Sequence, residues 1–224
     1  MKPTNLRVRG KDVVLVPISE LSVHEEVNPA RVTRMARVIL SSRVVEKPIL
    51  VDEKTLVIID GHHRYNALRA IGTRYAPAIL LDYSRDVEGI GAGSWSLRAE
   101  NPERLMDLLE AVLVAHASRG PHPVVIESPG VGRRVVYRDA LSAYLALRYS
   151  GLLGIDHGNS VHAARGVHSP RLRGGGMVIV RPPPLSKEHV RLVGLRGETL
   201  PPKSTLHVTP YKGVRAPVRL DRLF

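Results

Sequence analysis

Residues 56–72 read LVIIDGHHRYNALRAIG, and this stretch decides how the first part of the chain folds. The four apolar residues at 56–59 are typical of a short buried strand, and the apolar positions 67, 68, 70 and 71 are typical of a helix. Gly61 marks the turn between the two, and Gly72 is suited to end the helix as its C-terminal cap. The pattern therefore predicts a strand that leads directly into a helix.

The polar residues of this stretch lie at the predicted start of the helix. A helix N-terminus presents unpaired N–H groups and the positive end of the helix dipole, and both favour phosphate. His62, His63 and Arg64 at this place indicate a phosphate-binding turn, and Asp60 beside them suits a metal ion or a substrate group. A purely structural interpretation competes with this one: Asp60 caps the helix and the histidines are solvated.

Composition limits the class of protein. With 224 residues and 43% hydrophobic content, the chain is long and apolar enough for a buried core. No run approaches the roughly 18–20 apolar residues of a membrane span, and residues 1–12 lack the apolar core of a signal peptide. We therefore expect a cytoplasmic protein that does not bind membranes. The absence of cysteine excludes disulfides, thiolate metal ligands and a cysteine nucleophile.

The charge balance is strongly basic. A net charge of +12 permits attraction to nucleic acid, to anionic membrane surfaces or to polyphosphate ligands, and charge alone does not choose among them. The basic residues are spread along the chain, and there are only one Trp, one Phe and seven Tyr on which bases could stack. Binding of nucleic acid is therefore not favoured.

Periodicity and turn residues predict an α+β fold in two portions. The first has strands at 13–17, 48–51, 56–59 and 76–83 and a helix begun by Asn28 and Pro29. The second has a helix begun by Asn101 and Pro102, strands near 124–126, 134–137 and 177–180, and helices at 139–149 and after Ser186. Residues 151–176, rich in Gly, His and Arg, predict a long mobile loop or lid. The predicted apolar faces of the first helix of each portion are Val32, Met35, Ala36, Ile39 and Leu40, and Leu105, Leu108, Leu109, Val112 and Leu113.

Two more polar clusters accompany the central stretch. One is HEE at 24–26, before the first long helix, and the other is KSTLH at 203–207. The second has the composition of a phosphate loop but lacks the glycine spacing of a P-loop, so a surface loop is an equally good interpretation. Taken together, the clusters contain the parts that phosphoryl transfer needs: an acid to receive a proton, cations for phosphate and a carboxylate for magnesium.

The order of these motifs resembles the ParB/sulfiredoxin superfamily. HEE at 24–26 is followed by PILV at 48–51, the DGHHR stretch, APAILLDY at 76–83 and then Trp95. Together with KSTLH and the C-terminal residues, this order is similar to the archaeal free L-serine kinases. The similarity covers both ends of the chain and is weakest between residues 100 and 176. A sulfiredoxin is excluded because it needs a cysteine nucleophile.

The resemblance implies a ParB-like catalytic core over residues 1–98 and a smaller C-terminal α/β portion over 99–224, with segment 202–208 binding phosphate and the active site in the cleft between them. It implies phosphorylation of free L-serine to O-phospho-L-serine, a step toward cysteine, with ATP or ADP as donor and Mg²⁺ as helper. We also expect a monomer.

Site residues follow from the same resemblance, position by position. Glu25 is implied as the general base for the serine hydroxyl, and Asp60 as a second carboxylate that holds Mg²⁺ or orients the hydroxyl. His24 and Trp95 are implied to contact the substrate. The implied nucleotide and phosphate ligands are Gly61, His62, His63, Arg64, Lys203, Ser204, Thr205 and His207.

One position departs from the family pattern. Leu206 stands where the family has a basic residue, so a phosphate or ribose contact is either lost or replaced by Arg181, Arg171 or Arg173. Because of this change, the identity of the nucleotide stays open between ATP and ADP.

Two other classes of function remain as alternatives. A ParB-like nucleotide-dependent DNA-binding protein would need a helix-turn-helix, but residues 96–150 show no pair of short helices with a glycine turn. A zinc site at His157, His162 and His168 lacks a fourth ligand, so a flexible loop is the favoured interpretation there.

Overall fold

A computed structural model describes residues 1–153 and 176–224. Most of the predicted loop at 151–176 therefore lies outside the described residues, and so do His157, His162, His168, Arg171 and Arg173. The described elements, in chain order, are β1 Lys2–Val8, β2 Lys11–Pro17, α1 Pro29–Ser42, β3 Val44–Val45, β4 Ile49–Asp52, β5 Ile58–Asp60, α2 His62–Ile71, β6 Tyr75–Leu81, β7 Gly89–Ala92, β8 Trp95–Ala99, α3 Pro102–Ala115, β9 His122–Ser128, β10 Val131–Tyr137, α4 Ala140–Tyr149, β11 Gly176–Arg181, α5 Lys187–Leu195, β12 Thr205–Val208 and β13 Val218–Arg219, with 3₁₀ turns at Ile18–Glu20 and Leu220–Leu223.

The chain divides into two compact units that are interleaved in sequence. The first comprises Met1–Gly89, Lys187–Thr199 and His207–Phe224, and the second comprises Ile90–Ser186 and Leu200–Leu206. The C-terminal segments supply core residues to the first unit. In α5, Val190 and Val193 are fully buried, and the backbone of Gly194 packs on Val57 so closely that a Cβ would lie 2.7 Å from it.

The first unit is built on a five-stranded sheet in the order β1-β2-β6-β4-β5. Strands β4 and β6 are parallel, and the other neighbours are antiparallel. Strand β5 is the last strand at one side of the sheet, and α2 begins two residues after it ends. The predicted strand, turn and helix of residues 56–72 are thus confirmed, and Gly72 caps α2 in the left-handed conformation.

Helix α1 confirms its predicted cap but not all of its predicted face. The Asn28 side chain accepts a hydrogen bond from the Arg31 N–H at 3.1 Å. Ile39 is buried, but Leu40 is 48% exposed, so its assignment to the buried face is wrong. Leu40 follows Ile39 directly and therefore lies about 100° further around the helix, away from the buried side.

The second unit carries an antiparallel sheet in the order β10-β9-β11-β8, against which α3 packs. The predicted cap of α3 is confirmed, since the Asn101 side chain accepts from the Arg104 N–H at 3.0 Å. Leu109 and Leu113 are buried as predicted, but Leu108 is 50% exposed because it lies on the solvent side of the helix. The two units together make the mixed α+β fold that the sequence predicts. Among the described helices, none is both long enough and apolar enough to span a bilayer.

Candidate functional site

Asp60 and Arg64 form an ion pair at the point where β5 passes into α2. Arg64 lies one helical turn after Asp60 in the chain, and its Nη2 donates to Asp60 Oδ2 at 2.9 Å. The helix N-cap is Gly61, and no side chain makes a capping hydrogen bond there. The interpretation of Asp60 as a mere helix cap is therefore wrong. The side chain of Asp60 is 28% exposed and that of Arg64 is 17% exposed, so solvent reaches both.

This ion pair depends on Gly61. Its φ of 105° is one that residues with a side chain rarely adopt, and a Cβ would lie 2.8 Å from both Arg64 Nη2 and Ile49 Cγ2. Only glycine lets the arginine fold back over the turn. Arg64 Nε is buried in the same place and has no hydrogen-bond partner within the described part of the chain.

A second cation faces the same carboxylate. Lys212 Nζ lies 4.0 Å from Asp60 Oδ1, and the Lys212 side chain is 45% exposed. We call Asp60, Gly61, Arg64 and Lys212 the charged corner. Sequence reasoning missed Lys212 because it stands in a turn, TPYKG at 209–213, that gives no motif of its own.

Three buried histidines lie in the first unit and come from three separate motifs. His24, His62 and His207 are 0%, 8% and 4% exposed. His62 Nε2 and His24 Nδ1 are hydrogen-bonded at 3.2 Å, and the His24 ring meets the rings of His62 and His207 edge-on, with centroids 4.5 Å and 5.8 Å apart. The interpretation of the DGHHR histidines as solvated is therefore wrong for His62.

Burial keeps these three histidines neutral. It lowers the pKa of His62 to about 3, with further lowering from the neighbouring His207, His63 and Arg64. It also lowers the pKa of His24, helped by His62, and that of His207, helped by His24 and Lys212. Near pH 7 these rings supply hydrogen bonds but no charge.

The histidine cluster ends on a tyrosine that sequence reasoning did not single out. Tyr83 is fully buried, and its hydroxyl lies 2.6 Å from His207 Nε2. Burial raises the Tyr83 pKa, so the phenol keeps its proton near neutral pH and forms a hydrogen bond with the neutral His207 ring. The only signal in the sequence is the position of Tyr83 at the end of the LLDY segment.

Glu25 and His63 lie beside this cluster. Glu25 Oε2 is 3.9 Å from His24 Nε2, and the Glu25 side chain is 13% exposed. Because His24 is neutral, it brings no positive charge to that carboxylate. His63 Nε2 accepts a hydrogen bond from the backbone N–H of Asn28 at 3.2 Å, which joins the starts of α1 and α2.

The remaining predicted site residues belong to the second unit and are Trp95, Lys203, Ser204 and Thr205. Trp95 is 1% exposed, and its indole N–H donates to the Pro202 carbonyl at 2.9 Å. Ser204 is fully buried, and its hydroxyl donates to the Pro201 carbonyl at 2.6 Å. Trp95 and Ser204 thus hold the segment that carries Lys203 and Thr205.

Arg181, one of the arginines considered as a replacement for the basic residue at 206, also lies in the second unit. Its Nε donates to Glu127 Oε2 at 2.9 Å, so its charge is already neutralised within the sheet.

The fit to magnesium rests on Asp60. No group of three or more His, Asp or Glu that could hold a metal ion occurs among residues 1–153 and 176–224. Magnesium is commonly held by only one or two carboxylates together with substrate phosphates and water. Asp60 supplies one partly exposed carboxylate, which fits a magnesium ion that enters with a nucleotide.

Comparisons with known proteins point in one direction, although no family model matches the chain. The ATP-dependent L-serine kinase of Staphylothermus marinus is 24% identical over 98% of this chain and 94% of its own length. The ADP-dependent L-serine kinase SerK of Thermococcus kodakarensis is 25% identical over 95% of this chain and 93% of its own length. Among solved structures, a free serine kinase in complex with AMP matches with a TM-score of 0.69, at 18% identity, over 100% of this chain and 99% of that one.

Proposed function

We propose that this chain is a free L-serine kinase, which transfers a phosphoryl group from ATP or ADP to the hydroxyl of free L-serine and forms O-phospho-L-serine for cysteine synthesis. The similarity to L-serine kinases over 95–98% of the chain supports this proposal. One observation carries this proposal beyond the family likeness. The 3.2 Å bond between His24 and His62 joins the segment of Glu25 to the segment of Asp60 and Arg64 within one unit. Glu25, a carboxylate that can accept a proton, and Arg64, a cation that can bind phosphate, are thus held within the same unit.

Glu25 is the proposed general base. A serine hydroxyl is a poor nucleophile, and its proton leaves late in a loose phosphoryl-transfer transition state, so the base must be well placed rather than strong. The low exposure of Glu25 and the neutrality of His24 beside it support this role.

The phosphate groups are proposed to bind at the start of α2. Gly61, His63 and the backbone N–H groups of the first helical turn are proposed to donate hydrogen bonds, and Arg64 to supply charge, at a helix start that no side chain caps. Lys203 and Thr205 are proposed to add contacts from their own segment, while Ser204 and Trp95 hold that segment in shape. His62 and His207 act as neutral supports within the buried histidine cluster, and His24 lies beside Glu25 and supports it.

Asp60 has two tasks in this proposal. It fixes the guanidinium of Arg64, and it would hold Mg²⁺ together with the phosphates. When bound, the magnesium ion would neutralise charge that develops on the transferred group.

The test is a phosphorus NMR assay of the purified protein with L-serine and Mg²⁺, run once with ATP and once with ADP. We expect an O-phosphoserine signal that grows with one of the two donors and is absent without serine. D-Serine serves as the control acceptor, because a site built for the L-isomer should leave it unreacted. Nucleotide hydrolysis without phosphoserine, or no reaction with either donor, would contradict the proposed kinase.

A further inference from the structure

We infer that Lys212 binds the phosphate chain of the nucleotide directly, as a further residue of the proposed kinase site. This inference rests on the proposed function, and it concerns a lysine that no motif in the sequence marks. The Lys212 ammonium group lies 4.0 Å from Asp60 Oδ1, which is the carboxylate oxygen that Arg64 does not bind.

The distance between Lys212 Nζ and Asp60 Oδ1 is too long for a hydrogen bond between the two groups. Hydrogen bonds to carboxylates are about 2.7–2.9 Å long when both groups are charged, whereas Nζ lies at 4.0 Å. Within the described residues, Nζ makes no hydrogen bond, so its three N–H donors are available to a ligand. At 45% exposure, the ion pair with Asp60 contributes little to stability on its own.

The charge count favours an anion at this place. Asp60 carries one negative charge, while Arg64 and Lys212 carry one positive charge each, and burial keeps His62 and His207 neutral. Asp60, Arg64 and Lys212 together therefore have an excess of one positive charge. The Lys212 ammonium group has N–H donors that make no hydrogen bond within the described residues, and these suit an anionic phosphate chain.

The turn that carries Lys212 is fixed to the rest of the first unit. The Lys212 N–H donates to the Thr209 carbonyl at 3.3 Å, and Thr209 Oγ1 donates to the Asp86 carbonyl at 2.8 Å. Gly213 follows with a φ of 80°, which closes the turn. A lysine held at its backbone loses less conformational entropy when it binds a ligand.

The first experiment measures ADP and ATP affinity by calorimetry for the wild type, Lys212→Ala and Lys212→Arg. Removing the ammonium should raise Kd about tenfold at low salt, and the difference should shrink as salt screens the contact. Lys212→Arg should recover most of the affinity. Lys54→Ala, which removes an equal charge from an exposed turn of the same unit, is the control and should bind like the wild type.

The second experiment separates direct contact from an effect through Asp60. Lysines of the folded wild-type protein are acetylated with and without ADP, and the modification of each is read by mass spectrometry. Direct contact predicts protection of Lys212 and not of Lys54. Unprotected Lys212, or a Kd that Lys212→Ala leaves unchanged, would overturn the inference.

The two proposals fail separately. Phosphoserine formation by the wild type with normal ADP affinity in Lys212→Ala would remove the role of Lys212 and keep the kinase. Protection of Lys212 by ADP without any phosphoserine would keep the nucleotide contact and remove the kinase.

Discussion

The charged corner of the first unit and the segment 201–205 of the second unit both contain polar residues, yet they use them in opposite ways. In the corner, Asp60, Arg64 and Lys212 keep part of their charged groups exposed to solvent. In segment 201–205, the hydroxyl of Ser204 and the carbonyl of Pro202 are bound to other groups inside the protein. The difference indicates that a polar motif with solvent-exposed charges can bind a ligand, whereas one whose polar groups are buried and hydrogen-bonded stabilises the fold.

The largest predicted effect comes from breaking the charged corner at Gly61. Gly61→Ala forces a side chain into a positive φ and against Arg64 and Ile49, so it should lower the free energy of unfolding by about 3 kcal/mol or more. Gly72→Ala is the matched control, since Gly72 has a similar φ but open space around its Cβ position, and it should cost only about 1 kcal/mol. Urea unfolding measures both. Equal losses in the two variants would show that crowding at the corner has no effect.

The second predicted effect is a loss of stability in acid. The folded-state pKa of His62 is about 3, below the ordinary value near 6.5, so the unfolded chain binds a proton that the folded chain refuses. Stability from this histidine is therefore complete above pH 6.5 and is lost as pH falls toward 3, at about 1.4 kcal/mol per pH unit. By pH 5 the loss is about 2 kcal/mol.

Unfolding measured from pH 7.5 to 4.5 tests this slope. His62→Gln should have a flatter dependence on pH than the wild type, whereas His116→Gln, at an exposed position, should keep the wild-type slope. A wild-type slope in His62→Gln would contradict the buried neutral state.

A smaller effect distinguishes the buried hydroxyl of Tyr83, which contacts the histidine cluster, from a buried hydroxyl in the second unit. Tyr83→Phe removes the hydrogen-bond partner of the buried His207 Nε2 and should cost about 1–3 kcal/mol of stability. Tyr137→Phe removes a similar buried hydroxyl, which donates to the Leu113 carbonyl in the second unit. Both should lose stability, but only Tyr83→Phe should also lower kcat for phosphoserine formation. A kcat that falls equally in both variants would mean that Tyr83 has no special connection to the site.

The smallest effect tests the supporting role of segment 201–205. Ser204→Ala removes a buried hydroxyl that bonds Pro201, and it should lower the free energy of unfolding by about 1 kcal/mol. The Kd for ADP should change less than in Lys203→Ala, measured under the same conditions. A larger change in Ser204→Ala would indicate that its hydroxyl turns toward phosphate.

Much of the secondary structure could be predicted from local sequence. The apolar run at 56–59, Gly61 and Gly72 fix the strand, turn and helix, and Asn28 and Asn101 cap their helices as their positions predict. These features depend on neighbours in the chain, so a single sequence reveals them. The predictions of the buried helix faces were partly wrong, since Leu40 and Leu108 are exposed.

The parts that could not be predicted depend on contacts distant in sequence. Nothing local to His24 or His207 shows that they meet, or that Tyr83 is 2.6 Å from His207 across 124 residues. The same holds for Asp52, which binds Arg191 of α5 through both carboxylate oxygens. Burial of the histidines, and with it their neutrality, follows only from this packing.

Glu25 is the proposed proton acceptor, and the most direct test of this role compares Glu25→Gln with Glu26→Gln in kcat for phosphoserine formation and in Kd for the nucleotide. We expect Glu25→Gln to lower kcat by about 10²–10⁴ while the Kd stays near that of the wild type. Glu26→Gln, one residue further along, should stay close to the wild type in both quantities. A Glu25→Gln enzyme with wild-type kcat, or equal losses in the two variants, would contradict the account.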